Sequence, residues 1–594
     1  PYSENLAADL ILSYIRKKFA DANLSEMNKI RKSIFLATDE FLTKIIDGKD
    51  VPSILTITAP TGGGKTLLGL HVALKLMDKL LRKSKIVYCL PYINIIEQTY
   101  SLFEDVLSIH YGRKPDLSIL LKHHHLSFPA QESISKEVTL EKLLLLVDSW
   151  ESEIIVTTFE QLLRSMIGCR NSLLKKFHNL AHSIIILDEI QAIPLEYWKL
   201  ICDVLSYLVK HFNTKIILMT ATMPAIFKDE GFELVPKFKT YFKRIERVKL
   251  NLQLEKTVSA EEFADFFLSK WTKGSSALLV LNTIETSKRV YERIAQRLGE
   301  NVARLSSKNN IDPTNPPRKT VLAYLSTSVI PKERERRVKI LKLLLKEHHS
   351  VILVSTQVVE AGVDLDFDMA FRDLGPLDSI VQVAGRCNRN WRTSIGQVYV
   401  LRIADEKGRE DSKKIYGKIL PQITLELIGD RKYVSERELV EIVESYYKDV
   451  SYRVNVEKHP ESMEVLEKIT RLNFHELYNF SLIKEEPKVP VYIEYDDNAK
   501  CLLKKFKCLI RKLRETTLNL EKIFECKANL RKMRAEMESY IVEVYQSEHS
   551  LKSLNSIMDD VNVLVVPHET IEAYYDSETG FKSTKSREED FFII

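Results

Sequence analysis

The sequence lacks several features, and each absence excludes a class of protein. No stretch approaches the roughly 18 consecutive apolar residues of a membrane-spanning helix, and the first residues do not have the layout of a signal peptide. No membrane partner is expected, and a cytoplasmic location is. The seven cysteines (Cys89, Cys169, Cys202, Cys387, Cys501, Cys508, Cys526) form no CxxC pair. Neither a disulfide framework nor a zinc site is therefore indicated, and a reducing compartment fits. A large charge of one sign is also missing. The 87 basic residues nearly balance 82 acidic ones, leaving a net charge of +5, so a nucleic-acid surface would have to be a local patch. Three adjacent histidines, His123 to His125, have no Cys or Asp partners at ligand spacing, and adjacent side chains do not converge readily on one ion. A polar loop is the expectation for residues 121–127. Glycine is scarce, at 18 of 594 residues. What remains is an ordinary apolar and charged composition on a chain long enough for roughly three or four domains with buried cores.

Against that scarcity, Gly62, Gly63 and Gly64 are consecutive. A short apolar run (Ile54, Leu55, Ile57) leads into Ala59-Pro60-Thr61-Gly62-Gly63-Gly64-Lys65-Thr66, and a stretch with apolar residues at helical spacing follows. Strand, glycine-rich loop and helix is the context of a phosphate-binding loop. The glycines let the backbone turn its N–H groups toward phosphate oxygens, and the helix adds its positive end. Lys65 is placed to reach the outer phosphates, and Thr66 to ligate Mg2+. The usual first glycine of this pattern is Ala59 here.

Further along, SIIILDEIQ (183–191) predicts a fully buried strand that ends in two carboxylates. Asp188 would hold Mg2+ through water, and Glu189 would polarise the attacking water. KIILMTATMP (215–224) repeats the arrangement with Thr220 and Thr222 at the strand end, a coupling position. Strands are also read at Ile86–Tyr88, which ends at Pro91, and at residues 154–160, which end in Thr157-Thr158-Phe159. Both ends suit either a nucleic-acid contact or an ordinary β-to-α junction. The alternation of strands and helices predicts an α/β fold, a doubly wound sheet with its site at the carboxyl ends of the strands. Residues 1–50 read as two lead-in helices, and residues 225–262 as the edge of the first domain and a linker.

A second domain opens with the strand SSALLVLNT (275–283), whose Asn282 and Thr283 stand at a helix N-terminus, apt for a backbone phosphate. Lys332, Arg334, Arg336 and Arg337 form a basic run, open between a solvated helix face and a nucleic-acid or nucleotide contact. Thr356, Gln357, Glu360, Gly362 and Asp364 cluster at the end of another strand. SIVQVAGRCNRNWR (379–392) gives a short helix with Gln382, Gly385, Arg386 and Arg389. Arg386 and Arg389 are three apart and are expected on one helix face. Delivered to a triphosphate from the facing domain, they would stabilise charge on the γ-phosphate; the rival is a structural salt-bridge helix. Beyond about residue 425 the chain reads as helical and polar, with short strands at 490–495 and 561–567.

The set TAPTGGGKT, DEIQ, TAT, STQVVEAGVD and QVAGRCNR resembles superfamily 2 helicases. MNKIRKSIF (27–35), SSALLVLNT and the pairing of STQVVEAGVDLDFD with SIVQVAGRCNRN resemble the helicase part of the signature nuclease-helicase of type I CRISPR-Cas systems. The resemblance covers roughly residues 25–405. It implies two tandem RecA-like domains of the P-loop NTPase class (51–240 and 241–425, after a lead-in at 1–50) and a mainly helical C-terminal accessory domain (426–594). It also implies ATP with Mg2+, 3′-to-5′ movement on single-stranded DNA, and recruitment by an RNA-guided surveillance complex. By that resemblance Lys65, Thr66, Asp188, Glu189, Gln382, Arg386 and Arg389 take the nucleotide roles. Thr61, Gly62, Gly63, Gly64, Gly362 and Asp364 join the nucleotide-binding set, Gln191, Thr220 and Thr222 the coupling set, and Pro91, Thr157, Asn282, Thr283 and Thr356 the DNA side. The sequence departs from the family in three places. Its usual HD nuclease is not found in the roughly 50 residues before the phosphate loop, which carry no His-Asp pair. The expectation is a separate HD subunit, as in split archaeal systems, or a chain cut upstream of Pro1. Gln191 stands where many members have His, and Ser326-Thr327-Ser328 stand where the family has a His-Ser-Arg-Phe-like segment. Two other readings stay open: a repair or RNA helicase of the same superfamily, and a nucleotide-gated scaffold without unwinding.

Overall fold

The computed structural model describes residues 9–19, 25–48, 50–81, 84–124, 140–221, 231–360, 364–391, 395–482, 487–515, 520–558 and 561–582. The expected lead-in helices form as α1 (Asp9–Phe19) and α2 (Glu26–Asp47). Ser25 caps α2 by accepting the Asn28 N–H. Leu10, Ile11, Met27, Ile30 and Ile34 are buried in the core of the first sheet, so both helices are part of that unit.

The first sheet contains β1 (Ile54–Thr58), β2 (Ile86–Leu90), β3 (Leu120–His123), β4 (Ile154–Thr158), β5 (Ile184–Asp188), β6 (Lys215–Thr220) and β7 (Phe232–Glu233). Their spatial order is β3-β4-β2-β5-β6-β1-β7, and every pairing is parallel. Most of these strands are apolar throughout because helices cover both faces. The register sets the strand ends level, with Thr58 beside Thr220 and Asp188 beside Met219. The phosphate loop leads into α3 (Lys65–Lys79), and β2 leads into α4 (Ile93–Tyr111).

The second sheet contains β8 (Val248–Val258), β9 (Ala277–Val280), β10 (Val302–Arg304), β11 (Thr320–Leu325), β12 (Val351–Ser355), β13 (Met369–Asp373), β14 (Gly396–Ile403) and β15 (Tyr433–Ser435). Their order is β10-β11-β12-β9-β13-β14-β8-β15, parallel except for the antiparallel β15. Two flanked sheets of this kind are the architecture of tandem RecA-like domains, as expected.

Two segments differ from the sequence reading. Residues 120–123 are an edge strand in place of the front of a polar loop. Leu120 and Leu121 are fully buried and His123 pairs with Thr157, so two apolar residues against β4 decide the matter; His125 lies outside the described residues. The stretch read as a linker contains the eleven-residue β8. Its Val248, Leu250, Leu252 and Leu254 are buried in alternation, a period of two that was legible in VKLNLQLEK.

After β15 the chain turns back over the first domain. The helices Leu439–Val454 and Pro460–Thr470 pack there. Trp198 meets Tyr447, the Ser462 hydroxyl donates to the Glu196 carbonyl at 2.5 Å, and the Glu160 carboxylate accepts from the Ser481 hydroxyl and the Leu482 N–H. The remaining chain pairs the helices Asp497–Glu515 and Leu520–Glu538 with a four-stranded sheet, β16 (Lys488–Ile493), β17 (Ile541–Tyr545), β18 (Asn555–Met558) and β19 (Val561–Val566). This piece sits on the second domain. Three of the four cations in the basic run serve that contact or its own helix. Lys332 pairs with Asp496 and Tyr540 at 2.7 and 2.6 Å. Arg337, fully buried, donates to the Ser577 and Glu578 carbonyls at 2.7 and 2.5 Å. Arg336 forks onto Glu333. No helix among the described residues is long and apolar enough to cross a membrane.

Helix α3 lies against β6 so closely that a Cβ on Gly69 would overlap the Met219 sulfur. Gly69→Val is expected to lower unfolding free energy by about 1–3 kcal/mol through overpacking. Urea denaturation of the variant and parent checks this.

Candidate functional site

The phosphate loop is shaped by its glycines. Gly62 and Gly64 have φ of 78° and 84°, a left-handed backbone that a side chain strains, and a Cβ on Gly63 would approach the Pro60 carbonyl to 2.9 Å. The Gly63 N–H closes a turn onto that carbonyl at 2.9 Å. Lys65 is buried at the first turn of α3, with its Nζ donating to the Ala59 carbonyl at 3.3 Å and lying 3.7 Å from Glu189.

The level strand ends bring the carboxylates to this lysine. Asp188 Oδ2 accepts from the Tyr88 hydroxyl at 2.7 Å, and that hydroxyl also meets Thr66. Asp188 Oδ1 is buried and has no hydrogen-bond partner. Burial, and then Glu189 beside it, push the Asp188 carboxyl upward, against the pull of Lys65 and Tyr88. An orphaned oxygen on a carboxylate that shares the Tyr88 hydroxyl with Thr66 fits a hydrated divalent cation. Glu189 stands in the left-handed region at φ 55°. Gln191 Nε2 donates to Glu189 at 2.5 Å, and Gln191 Oε1 accepts from the Thr220 hydroxyl at 2.8 Å. The three form a relay from the carboxylate to the end of β6. Thr222 lies outside the described residues.

The opposite wall comes from the second domain. The helix Leu377–Ala384 ends before the two arginines, so they do not share a helix face as the spacing suggests. They stand in a turn that Asn388 makes in the left-handed region at φ 46°, where Asp366 accepts the Arg389 and Asn390 N–H groups at 2.6 and 3.2 Å. Both nonetheless face the cleft. Arg386 donates to the Glu360 carbonyl at 3.0 Å, and its Nε has no partner. Burial, and then Arg389, bring its guanidinium down to about 10. Arg389 pairs with Asp364 at 3.1 Å. A cleft of 1110 Å³ is lined by Thr61, Gly62, Lys65, Thr66, Asp188 and Glu189 on one side, and by Asp364, Gln382, Arg386 and Arg389 on the other. The two sides come close at Thr61, where a Cβ on Gly385 would fall 2.8 Å from Thr61 Oγ1. Gly362 lies outside the described residues. No group of three or more His, Cys, Asp or Glu residues among the described residues could hold a metal.

Four residues at this site carry no sequence signal as site residues. Tyr88 reads only as a strand residue. Arg31, inside MNKIRKSIF, donates to the Gly62 carbonyl at 2.6 Å. Arg247 and Glu436, from the start of β8 and the end of β15, pair at 2.5 Å beside Thr61.

The expected nucleic-acid residues fare differently. Pro91 lines the cleft. Thr157 is fully buried and its hydroxyl donates to the His123 carbonyl at 2.7 Å, so it joins β3 to β4 and presents nothing outward. Asn282 is also turned inward. Its amide donates to Asp373 and to the Leu374 carbonyl, each at 2.6 Å, and its oxygen accepts from Arg372 at 2.6 Å. Arg372 is fully buried and continues to Glu360 at 2.9 Å and to the Tyr416 hydroxyl at 3.0 Å. Thr283 caps the helix Ile284–Leu298 by accepting the Thr286 N–H at 3.1 Å, and Thr356 is buried with its N–H on the Leu325 carbonyl. Of the Ser326–Ser328 segment, both serines are buried and hydrogen-bonded to each other at 2.6 Å, and only Thr327 is exposed. Strand-end polar residues here complete the protein's own hydrogen bonds, because a buried polar group must be paired.

Residues 37–229 match the family model for the DEAD/DEAH box helicase, and residues 273–392 match that for the CRISPR-associated nuclease/helicase Cas3, C-terminal. A CRISPR-associated nuclease/helicase Cas3 of Haloferax volcanii is 31% identical over 440 residues, covering 60% of this chain and 47% of that protein. That of Methanothermobacter thermautotrophicus is 24% identical over 412 residues, covering 65% and 46%. The chain thus spans about half the length of these curated relatives. Among solved structures, T. fusca Cas3 with ATP aligns with a TM-score of 0.65 at 16% identity, covering 94% of this chain and 69% of that one, which shows a shared fold. With the two-sheet cleft and its motif residues, these matches make the chain homologous to superfamily 2 helicases. More narrowly, the chain is homologous to the helicase portion of CRISPR Cas3 proteins.

Burial holds the Asp373 carboxyl at about 8, against an ordinary 3.8, despite Arg372. A native value above the unfolded one means that the folded state retains the proton. The associated stability is therefore complete below about pH 4 and is lost as the pH rises through about 8. Asp373→Asn should flatten part of that decline, whatever it does to absolute stability. Urea denaturation of both proteins at several pH values between about 5 and 9 checks this.

Proposed function

We propose that the chain is an ATP-driven translocase moving 3′ to 5′ on single-stranded DNA in type I CRISPR interference. One observation carries the reading: Lys65, Asp188 and Glu189 from the first sheet, and Arg386 and Arg389 from the second, line a single cleft. A triphosphate there would lie on the inward N–H groups of the loop, with Lys65 at its outer phosphates. Glu189 would take the proton of the attacking water and Arg386 and Arg389 the charge that grows on the γ-phosphate. Thr66 and Asp188 would hold Mg2+, which when bound offsets charge on the β- and γ-phosphates. A site shared by two domains couples hydrolysis to domain closure, and the Glu189–Gln191–Thr220 relay ties the carboxylate to the strand bed. We take residues 51–240 and 241–425 as the motor domains and 426–594 as accessory, and place the protein in the cytoplasm. The names of the relatives support a CRISPR setting. We assign recruitment to the RNA-guided surveillance complex, and cleavage to a separate HD nuclease subunit.

The test is ATP hydrolysis with and without single-stranded DNA, and strand displacement on 3′-tailed DNA and RNA duplexes, with and without an HD nuclease protein. Turnover stimulated by DNA is expected, and Glu189→Gln should lower it by about 10²-fold or more. Survival of stimulated turnover in that variant would refute the catalytic assignment. Activity on RNA alone would point to an RNA helicase, and no response to any nucleic acid to a nucleotide-gated scaffold.

A further inference from the structure

Arg247 belongs to none of the motifs. Its side chain is only 1% exposed, and its guanidinium lies where three parts of the chain meet. Toward the first domain, Nη1 donates to the Thr61 carbonyl at 3.4 Å and Nη2 to the Thr61 hydroxyl at 3.2 Å. Toward the second domain, Nη1 also donates to the Arg389 carbonyl at 3.2 Å. Behind it, Glu436 accepts from Nε and Nη2 at 3.1 and 2.5 Å and from the Arg247 and Val248 N–H groups at 2.6 and 3.2 Å. Glu436 therefore fixes both the backbone and the side chain of Arg247. Asn388 donates to the Arg247 carbonyl at 2.9 Å, which ties the turn carrying Arg389 to the same residue.

These contacts have a consequence for the phosphate loop. A trans peptide points its carbonyl and N–H to opposite sides. Arg247 holds the Thr61 carbonyl on the second-domain side, so the Gly62 N–H faces the other way. Arg31 holds the next carbonyl, that of Gly62, at 2.6 Å. Arg31 from the first domain and Arg247 from the second thus hold the first two peptides of the glycine run, and Arg247 also donates to the Arg389 carbonyl.

We propose that Arg247 is an interdomain positioning residue. It sets the outer peptide of the phosphate loop and the turn bearing Arg389 in one register, so that presentation of Arg389 and the shape of the loop change together. Glu436 is the fixed point from which it is aimed. This rests on the reading of the cleft as a site of ATP hydrolysis.

A planar fork can serve three acceptors at once, and a single ammonium cannot. Arg247→Lys keeps a cation for Glu436 and loses the bridge. It should lower kcat for ATP by about tenfold, since small misplacements of reacting groups carry large rate effects. The decisive measurement is a double-mutant cycle with Arg389→Ala. If Arg247 acts through Arg389, its substitution should change kcat by less than about twofold in that background. Multiplying effects, or an unchanged kcat in Arg247→Lys, would overturn the proposal. Removing one member of a buried ion pair can also unfold a protein, so Arg247→Gln with Glu436→Gln, an uncharged pair, is the second variant, and melting curves accompany each. A lowered melting temperature with unchanged kcat would mark a merely structural pair and overturn the proposal as well. If the parent shows no turnover, the functional reading fails, yet the loop contact is still readable from affinity for a fluorescent ADP analogue. Arg247→Lys should weaken that affinity about fivefold if loop shape depends on it, and unchanged affinity would refute the contact's role.

Discussion

Positive charge confined between two apolar sheets is the constraint on which the rest of the structure depends. Lys65, Arg386 and Arg389 line one cleft, Arg31 and Arg247 hold the phosphate loop that forms its wall, and several of them are largely removed from water. Burial and mutual repulsion lower the guanidinium values of Arg31 and Arg386. The carboxylates that oppose them include Glu189 and Asp188 near Lys65, Asp364 on Arg389 and Glu436 on Arg247. Unpaired buried charge is expensive, so the fold holds these groups through backbone carbonyls as well, those of Ala59, Gly62, Thr61 and Glu360. A polyanion entering the cleft would relieve that strain. The same argument explains why the arginines sit in a turn and not on a helix face: the Asp366 clamp and the left-handed Asn388 aim both at the cleft from loop positions three apart.

The second domain shows the opposite use of charge. Arg372, Asp373, Asn282, Glu360 and Tyr416 form a closed network beneath the strand ends. These hydrogen bonds and ion pairs are internal to that domain, and Arg386 rests on the carbonyl of Glu360. This domain's wall of the cleft is thereby braced from below by a polar core, which reaches the cleft at Glu360. The C-terminal chain adds a brace from outside, since the helices Leu439–Val454 and Pro460–Thr470 pack on the first domain and residues 575–578 bind Ile330 and Arg337 of the second.

Much of the nucleotide half was legible because its chemistry demands contiguous residues. A phosphate loop needs glycines, Lys65 and Thr66 in a row, and a buried strand that ends in Asp188 and Glu189 shows itself as four apolar residues and two acids. The nucleic-acid assignments were weaker for a physical reason. Hydroxyl and amide groups at strand ends can face outward or close internal hydrogen bonds, and Thr157 and Asn282 do the latter. Strand β3 was hidden by its histidines and β8 by lysines on its solvent side, although the apolar alternation of β8 was present.

The sequence by itself determined the local pieces: which segments are strands buried on both faces, where the backbone must turn without side chains, and which residues can meet a triphosphate. Only the tertiary structure decided which distant residues complete the site. Tyr88 reaches Asp188 because β2 lies beside β5. Arg31, Arg247 and Glu436 reach the phosphate loop because a lead-in helix and the last two strands at one end of the second sheet close around it. Such contacts arise from the order of strands in the sheets and the approach of one sheet to another, and no local pattern of residues encodes them.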